Sequence, residues 1–379
     1  MNGPAHRLSW YWLGAITVLV LLAGPWRLAL GAQCPKLLMF DGVDIRTQTN
    51  PQQAEYWGRK VGVEGFFLNF VMAHWKKDVG TDPNSELWQK VSRFQSLYSK
   101  DGVTDNFIKV ALYKTHHWKD AQANRAVVAR FRHAAMLARH AGLKGIALDL
   151  EPYKPTWGGP AGGPDLAPTV EREGRAIGAA MHSAYPDMTL IVLPDVLAAT
   201  HRYDTLVQRF KSNVHRIKSG KRPPPYDKYG LSVPFVRGLL SIPWKHAVIA
   251  MEQTYSRNSD GITRTVQRVR GHYAELLGDK HLQEIGFSTA PGLWTLGKTR
   301  KDKAAREKPA RFKRRLEASL HAAKQYVWIY GKDSAWQTDG PYASGPVVAD
   351  FDTYLDVIHQ AETSCKASGG TGAGSEQRH

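Results

Sequence analysis

Two carboxylates, Asp149 and Glu151, end an apolar run in the stretch GIALDLEPY, residues 145–153. In a β-strand alternate residues share a face, so Ala147, Asp149 and Glu151 point the same way. Pro152 has no N–H to donate to a neighbouring strand, and it therefore ends the strand. The pattern predicts a buried parallel strand whose C-terminal end opens into a site. The alternative is that the acids cap the strand end or pair with a nearby Lys or Arg.

Seven further short runs rich in β-forming residues accompany this one. The eight predicted strands are 36–41, 65–71, 107–113, 145–153, 188–194, 246–252, 284–290 and 325–330. Helical periodicity fills most gaps, most clearly at 125–141, 170–185, 263–277 and 312–324. This alternation predicts an α/β fold, a single (β/α)8 barrel. An open doubly wound sheet is the alternative, but no glycine-rich phosphate loop follows the first strand, and we expect no cofactor.

The barrel is predicted to span residues 33–365, followed by a Gly/Ser-rich tail, 366–379, that we expect to be disordered. Two long loops, 153–168 and 194–243, follow the fourth and fifth strands. Loops at the C-terminal ends of barrel strands build the active site in this architecture, and loops this long usually carry function.

Polar residues stand at the predicted C-terminal ends of nearly all strands. They are Asp41, Asn69, Lys114 to His117, Asp149 with Glu151, Asp195, Glu252, Thr289 and Tyr330. Carboxyl groups from four strand ends in one mouth repel one another unless they are protonated, hydrogen-bonded or bound to a ligand. A rim built only for stability does not need such a set, so the rim is the predicted functional site.

Aromatic residues follow the same strand ends by a few positions. They are Trp75, Trp118, Trp157, Tyr255, Trp294 and Trp336. Aromatic faces stack on the apolar faces of sugar rings, so the set predicts a carbohydrate-binding cleft. The alternative is that some of these side chains pack loops onto the barrel.

Paired acids beside aromatic residues predict hydrolysis of glycosidic bonds. We expect Glu151 to be the general acid, with its pKa raised by the neighbouring charge of Asp149. Glu252 is the predicted second carboxylate, and Asp195 is the alternative to it. From the spacing of strands four to six, the carboxyl groups of Glu151 and Glu252 should lie roughly 5–9 Å apart.

Two other chemistries have less support in the sequence. Rim acids with His74, His116 or His117 could hold a divalent ion, but no HExxH motif or close ligand spacing occurs, and we predict no metal site. A nucleophilic serine lacks a GxSxG motif.

At these residues the chain resembles (β/α)8 glycoside hydrolases, over residues 36–358. Residues 145–151 resemble the fourth-strand motif DGxDxDxE of family 18 chitinases, with Glu151 at the acid and Asp149 at the adjacent aspartate. Lys144 and Ala147 occupy the positions of the earlier aspartates, so the resemblance implies a different glycosidase-like barrel.

The same resemblance extends to aromatic positions. It places Trp328 or Trp336 at the eighth-strand tryptophan of that family and Tyr255 at its tyrosine after strand six. The predicted substrate-binding residues are Asp41, Asn69, His116, Asp195, Tyr255, Trp294, Tyr330 and Trp336.

Residues 1–32 are predicted to direct export, because His6 and Arg7 precede an apolar run that ends near small residues. The run is short for a bilayer span of about 20 residues. An uncleaved anchor is the alternative and would be the only membrane attachment. The expected location is secreted, periplasmic or in the cell envelope. Cys34 and Cys365, the only cysteines, form either one disulfide or two free thiols.

The chain carries 51 Lys and Arg against 34 Asp and Glu, a formal charge of +17. Such a balance favours acidic polymers or anionic surfaces. Ten basic and two acidic residues lie within 298–315, a stretch whose default interpretation is a solvated surface. We therefore expect a monomeric glycoside hydrolase whose carbohydrate substrate can be acidic, with no nucleic-acid partner. The alternatives are a non-catalytic glycan-binding protein on a degenerate barrel and a metal-assisted hydrolase.

Overall fold

A computed structural model describes most of the chain. The described residues are 34–40, 43–112, 114, 116–151, 157, 164–197, 230–255, 257–278, 282–290, 308–330 and 351–370. Residues 1–32, the predicted export segment, lie outside this set. Contacts divide the chain into Cys34–Cys365, which holds the barrel, and a second unit, Met1–Gln33 with Lys366–His379. No helix in the described residues is long and apolar enough to cross a membrane.

Eight strands pair in parallel and in sequence order, and β8 pairs with β1 to close the barrel. This confirms the predicted (β/α)8 architecture. The strands are β1 Lys36–Phe40, β2 Gly65–Leu68, β3 Phe107–Ala111, β4 Gly145–Asp149, β5 Thr189–Leu193, β6 His246–Met251, β7 Ile285–Thr289 and β8 Tyr326–Tyr330.

Nine α-helices lie among the described residues. They are α1 Pro51–Glu55, α2 Asn69–Met72, α3 Glu86–Tyr98, α4 Ala121–Ala141, α5 Ala167–Ala184, α6 Ser232–Leu240, α7 Ser259–Leu277, α8 Pro309–Ala322 and α9 Phe351–Gly370. A π-helix, Tyr56–Val61, continues α1. Short 3-10 turns span Ser99–Asp101, Pro164–Leu166 and Glu252–Thr254.

The structure changes several predicted boundaries. β2 ends at Leu68, three residues early, because Asn69–Met72 forms a helical turn. The region 194–243, predicted as one long loop, contains α6, which packs against α5. α9 runs to Gly370, so the first residues of the predicted disordered tail are helical.

Alternating residues of the strands build two separate apolar layers. One layer lies between the barrel and its helices and includes Trp57, Phe131 and Leu316. The other fills the barrel. Its members are Leu38, Phe40, Phe67, Phe107, Ala147, Ile191, Leu193, Val248, Ala250, Ala290, Tyr326 and Trp328. The barrel is therefore a packed core with a face at its C-terminal end, not an open pore.

The start of β4 fits closely against β5. A Cβ atom added at Gly145 would lie 2.0 Å from the carbonyl oxygen of Thr189, which no side chain tolerates. The glycine lets the two strands pair from their first residues, Gly145 with Thr189. This fixes the register of the strand that ends at Asp149.

A disulfide joins Cys34, two residues before β1, to Cys365 in α9, with Cα atoms 5.6 Å apart. It resolves the two alternatives for the cysteines in favour of a bridge. α9 also packs through Leu355 and Ile358, which are buried in the outer apolar layer. The bridge therefore links the first strand of the barrel to its last helix.

Candidate active site

Three carboxyl-bearing residues lie at the C-terminal mouth of the barrel. Asp149 is the last residue of β4, Glu151 follows two residues later, and Glu252 directly follows β6. They continue the inward-facing alternation of Ala147 on β4 and of Ala250 on β6. Three of the predicted acids thus lie at one rim of the barrel.

Asp149 is held by two donors. The backbone N–H of Glu151 donates to its Oδ1 at 3.1 Å, and Lys109 Nζ lies 3.1 Å from its Oδ2. The ion-pair alternative considered for these acids therefore holds for Asp149. Both contacts suit a carboxylate, so the charge of Asp149 is compensated at the floor of the site.

Lys109 is a residue of the candidate site that the list of strand ends missed. It lies in the middle of β3, in register with Ala147, and its side chain is 12% exposed. Its Nζ lies 4.2 Å from the ring centroid of Phe40, a cation–π distance. The signal was present in the sequence, since Lys109 shares the inward face of Phe107 on the predicted strand.

Glu151 and Asp149 lie near enough to Glu252 to act on its carboxyl group. Burial, and then the negative charges of Glu151 and Asp149, raise the pKa of Glu252 well above its ordinary value. Lys109 acts in the opposite direction and lowers it. Burial and neighbouring negative charge both favour the protonated form of a carboxyl group.

The separation of roughly 5–9 Å between the carboxyl groups of Glu151 and Glu252, expected from strand spacing, stays a prediction.

Asp195 is buried just beyond β5, and its described contacts lie elsewhere. Gln253 Nε2 donates to its Oδ2 at 2.8 Å, and the backbone N–H of Leu197 donates to its Oδ1 at 3.1 Å. Burial, and then the charge of Asp195, raise the pKa of Tyr273 on α7. These contacts connect β5 to the β6–α7 side of the barrel.

Aromatic rings line the opposite side of the interior. The ring centroid of Trp328 on β8 lies 5.5 Å from that of Phe40 and 5.2 Å from that of Tyr255. Tyr255 is partly buried, while Trp328 is fully buried. The indole N–H of Trp328 has no hydrogen-bond partner in the described part of the chain.

Three of the predicted cleft aromatics instead form a packed cluster. Trp75, Trp118 and Trp157 are at most 2% exposed, and the ring centroids of Trp75 and Trp118 lie 5.8 Å apart. His116 packs against both, and its Nε2 lies 2.6 Å from Asn124 Oδ1. Burial lowers the pKa of His116. The loop-packing alternative is correct for these tryptophans, and His116, predicted to bind substrate, is buried with them.

The remaining predicted site residues are only partly covered. Asn69 is the first residue of α2 and is partly buried. Asp41, Trp294 and Trp336 lie outside the described residues, and the position of Tyr330 is described only as the last residue of β8. Within the described ranges, no group of three or more His, Cys, Asp or Glu side chains could hold a metal ion.

Comparison with known proteins finds similarity in structure alone. No protein-family model and no curated protein matches the sequence. A glucosidase from Croceicoccus marinus superposes with a TM-score of 0.50 at 11% identity, covering 88% of this chain and 68% of the glucosidase.

Two further structures superpose with lower scores. The catalytic domain of a hyperthermophilic chitinase from Pyrococcus furiosus has a TM-score of 0.47 at 10% identity, with 88% of this chain and 97% of that chain covered. Endonuclease IV from Thermus thermophilus has a TM-score of 0.45 at 12% identity, with 87% and 99% covered. At these identities the likeness shows the TIM-barrel fold alone.

Proposed function

We propose that this chain is an exported glycoside hydrolase whose catalytic pair is Glu151 and Glu252. The observation that carries the proposal is that Glu151 and Glu252 follow β4 and β6 at the C-terminal mouth of a closed barrel, where the charges of Glu151 and Asp149 act on Glu252. Active sites of such barrels lie at this face, and glycosidases use two carboxyl groups.

The raised pKa of Glu252 supports an exchange of the roles expected from the sequence. Glu252 is then the general acid, which protonates the glycosidic oxygen as the C–O bond breaks. Glu151 is the carboxylate that attacks the anomeric carbon and forms a glycosyl ester. Glu252, now ionised, takes a proton from the water that hydrolyses this ester.

Asp149 and Lys109 set the charge around the pair in this proposal. Lys109 pairs with Asp149 and lowers the pKa of Glu252, whereas the charge of Asp149 raises it. Sugar rings would stack on Tyr255, and the unpartnered indole N–H of Trp328 could donate to a sugar hydroxyl when the interior opens to substrate.

The disulfide supports the export half of the proposal. Disulfides persist in oxidising compartments outside the cytosol, and this chain uses both of its cysteines in one bridge. Recovery of an epitope-tagged chain outside the cytoplasm would support export. Retention of the chain in the cytosol would contradict the export half of the proposal.

Release of reducing ends from a panel of neutral and acidic polysaccharides tests the catalytic half. On any substrate found, Glu151→Gln and Glu252→Gln should each lower kcat by about 10²–10⁴-fold or more, because each removes a group that acts only in the transition state. Glu284→Gln, an exposed carboxyl just before β7, is the matched control and should change kcat little.

The anomer released first, followed by NMR, tests the assigned roles. Because Glu151 is assigned as the nucleophile that forms a glycosyl ester, retention of configuration is expected. Inversion of configuration would show that Glu151 is not a nucleophile. Full activity in both variants would place the chemistry elsewhere, and glycan binding without any hydrolysis would make the chain a binding protein.

A further inference from the structure

The structure assigns an anion-binding pocket to the outer side of the loop that carries Glu252. A cavity of about 570 Å³ lies along the first turns of α7. Its lining residues are Arg257, Gly261, Arg264, Thr265, Gln267 and Arg268. Among the described lining residues there are three guanidinium groups and no carboxylate. Its size is within the usual range for small-molecule sites.

The three arginines have no partner of opposite charge among the described residues. Arg257, Arg264 and Arg268 are exposed and form no ion pair there. Elsewhere on the surface Arg237 does pair, with its Nη1 3.3 Å from Glu171 Oε2. Three like charges that face one concavity repel one another, and a bound anion relieves that repulsion. Guanidinium groups also bind carboxylate and sulfate oxygens in a bidentate way.

Arg257 is fixed in place at the edge of the pocket. Its backbone carbonyl accepts a hydrogen bond from Arg315 Nε at 2.7 Å. Its side chain lies directly over Gly261, where an added Cβ would approach Arg257 Cβ to 3.2 Å. A larger residue at position 261 would push Arg257 away from the helix. The glycine thus allows Arg257 to join the two arginines of α7.

The pocket and the acid pair share one short segment of chain. Glu252 begins the 3-10 turn after β6, Tyr255 follows it, and Arg257 comes two residues later. The basic helix α8 meets the same end of α7, since Ser259 Oγ donates to the carbonyl of Arg314 at 3.1 Å. A ligand bound here would lie on the loop that supplies the catalytic carboxyl group.

We therefore propose that the pocket binds the carboxylate or sulfate groups of an acidic polysaccharide, which is the substrate of the site. This substrate class rests on the proposed glycosidase function. The pocket itself does not depend on it, because binding can be measured without hydrolysis.

Binding of fluorescent oligogalacturonide (carboxylated), heparin oligosaccharide (sulfated) and cello-oligosaccharide (neutral) to the full chain at low ionic strength tests the pocket. The double variant Arg264→Gln/Arg268→Gln should weaken binding of one or both acidic oligosaccharides by about tenfold or more. Salt should weaken wild-type binding in the same way, because the contacts are exposed and charged. The affinity ratio of carboxylated to sulfated ligand identifies the anionic group.

The matched control is Arg270→Gln/Arg132→Gln. Both residues are exposed, and they lie outside the pocket, Arg270 on another side of α7 and Arg132 on α4. The control therefore loses the same two positive charges as Arg264→Gln/Arg268→Gln but leaves the pocket intact. The control should retain wild-type affinity within about twofold, because long-range attraction alone is weak in salt. Equal losses in both double variants, or no loss in either, would overturn the pocket.

Two further outcomes have fixed meanings. If duplex DNA binds as tightly and with the same dependence on Arg264 and Arg268, the pocket is a general polyanion site and the polysaccharide assignment is wrong. In Glu252→Gln, acidic oligosaccharide binding should remain within about twofold of wild type. Intact binding without hydrolysis by the wild-type chain would remove the glycosidase proposal and leave the pocket standing.

Discussion

The raised pKa of Glu252 makes the stability of the barrel depend on pH. Burial and the charges of Glu151 and Asp149 raise the pKa of Glu252 above its ordinary value of 4.5. The folded state therefore keeps a proton that the unfolded chain releases, and the free energy of unfolding falls as pH rises above about 4.5.

Glu252→Gln should abolish that loss, because the amide stays neutral. The variant is expected to exceed the wild type in free energy of unfolding above about pH 4.5. The gain should grow by about 1.4 kcal/mol per pH unit until the folded pKa is reached. Urea unfolding at several pH values between 4 and 8 measures it. A difference between the two proteins that stays constant across this range would contradict a raised pKa.

Lys109→Met is the companion variant for the same measurement. The charged groups around Glu252 are Glu151, Asp149 and Lys109, and only the lysine lowers its pKa. Removing it should raise the pKa of Glu252 further, so the loss of stability should continue to a higher pH with the same slope. Adding Asp149→Asn should reverse part of that effect, since the negative charge of the aspartate also raises the pKa of Glu252.

The sequence locates the acids at this scale but not their protonation. Alternation in a strand that ends at Pro152 is enough to place Asp149 and Glu151 on one face. Their proximity to Glu252 depends on how strands four and six converge across a barrel, which no local pattern contains. The same alternation places Lys109 on the inward face of its strand. Its pairing with Asp149 could not be predicted, because that requires knowing which residues face it inside the barrel.

Among the elements, the strands were predicted more closely than the helices. Short β-branched runs mark strands directly, and the predicted order of eight is the observed order. The four predicted helices begin three or four residues earlier than expected. Periodicity detects the first buried residue, whereas the helix starts at its cap, as at Asp120 and Asn258, whose side chains accept backbone N–H groups.

Tryptophans beyond strand ends show the limit of such prediction. Composition and position are the same for a ring that lines a cleft and for one that packs a loop. Trp75, Trp118 and Trp157 pack on one another and on Phe235 of α6, a helix that the sequence had left inside a loop. Because the prediction did not include α6 and its Phe235, the three tryptophans were assigned to the cleft.

Arg315 of α8 links an element of the outer layer to the loop after β6. It is 3% exposed, and its guanidinium donates to the carbonyls of Arg257, Thr254 and Tyr255. Arg315→Leu should lower the free energy of unfolding by about 2–4 kcal/mol, because buried carbonyls lose charged donors. Urea denaturation measures this loss.

Arg314→Leu is the neighbouring control for this clamp. Arg314 is exposed on the same helix, so its replacement should change stability by no more than about 0.5 kcal/mol. Arg315→Lys keeps the charge with a single nitrogen and should fall between the two. Equal stabilities for Arg314→Leu and Arg315→Leu would show that the loop after β6 is held without the guanidinium.

For the whole molecule, closure of the barrel brings the two ends of the folded region together. β1 pairs with both β2 and β8, so the first strand completes the ring only after the last strand has formed. The two cysteines are separated by 331 residues in sequence, and their bridge spans the entire barrel. Their spacing alone left a disulfide and two thiols equally open, because contact between the ends depends on closure.

Cys34→Ser/Cys365→Ser should therefore lower the free energy of unfolding by about 3–5 kcal/mol, since a bridge across a long loop restricts the unfolded chain most. The barrel should still close, because Tyr354, Leu355 and Ile358 keep α9 buried against it. Urea unfolding under oxidising conditions measures the loss. Dithiothreitol should lower the stability of the wild type to that of the double variant and leave the variant unchanged. Equal stability of the oxidised wild type and the double variant would mean that the bridge adds nothing to the closed barrel.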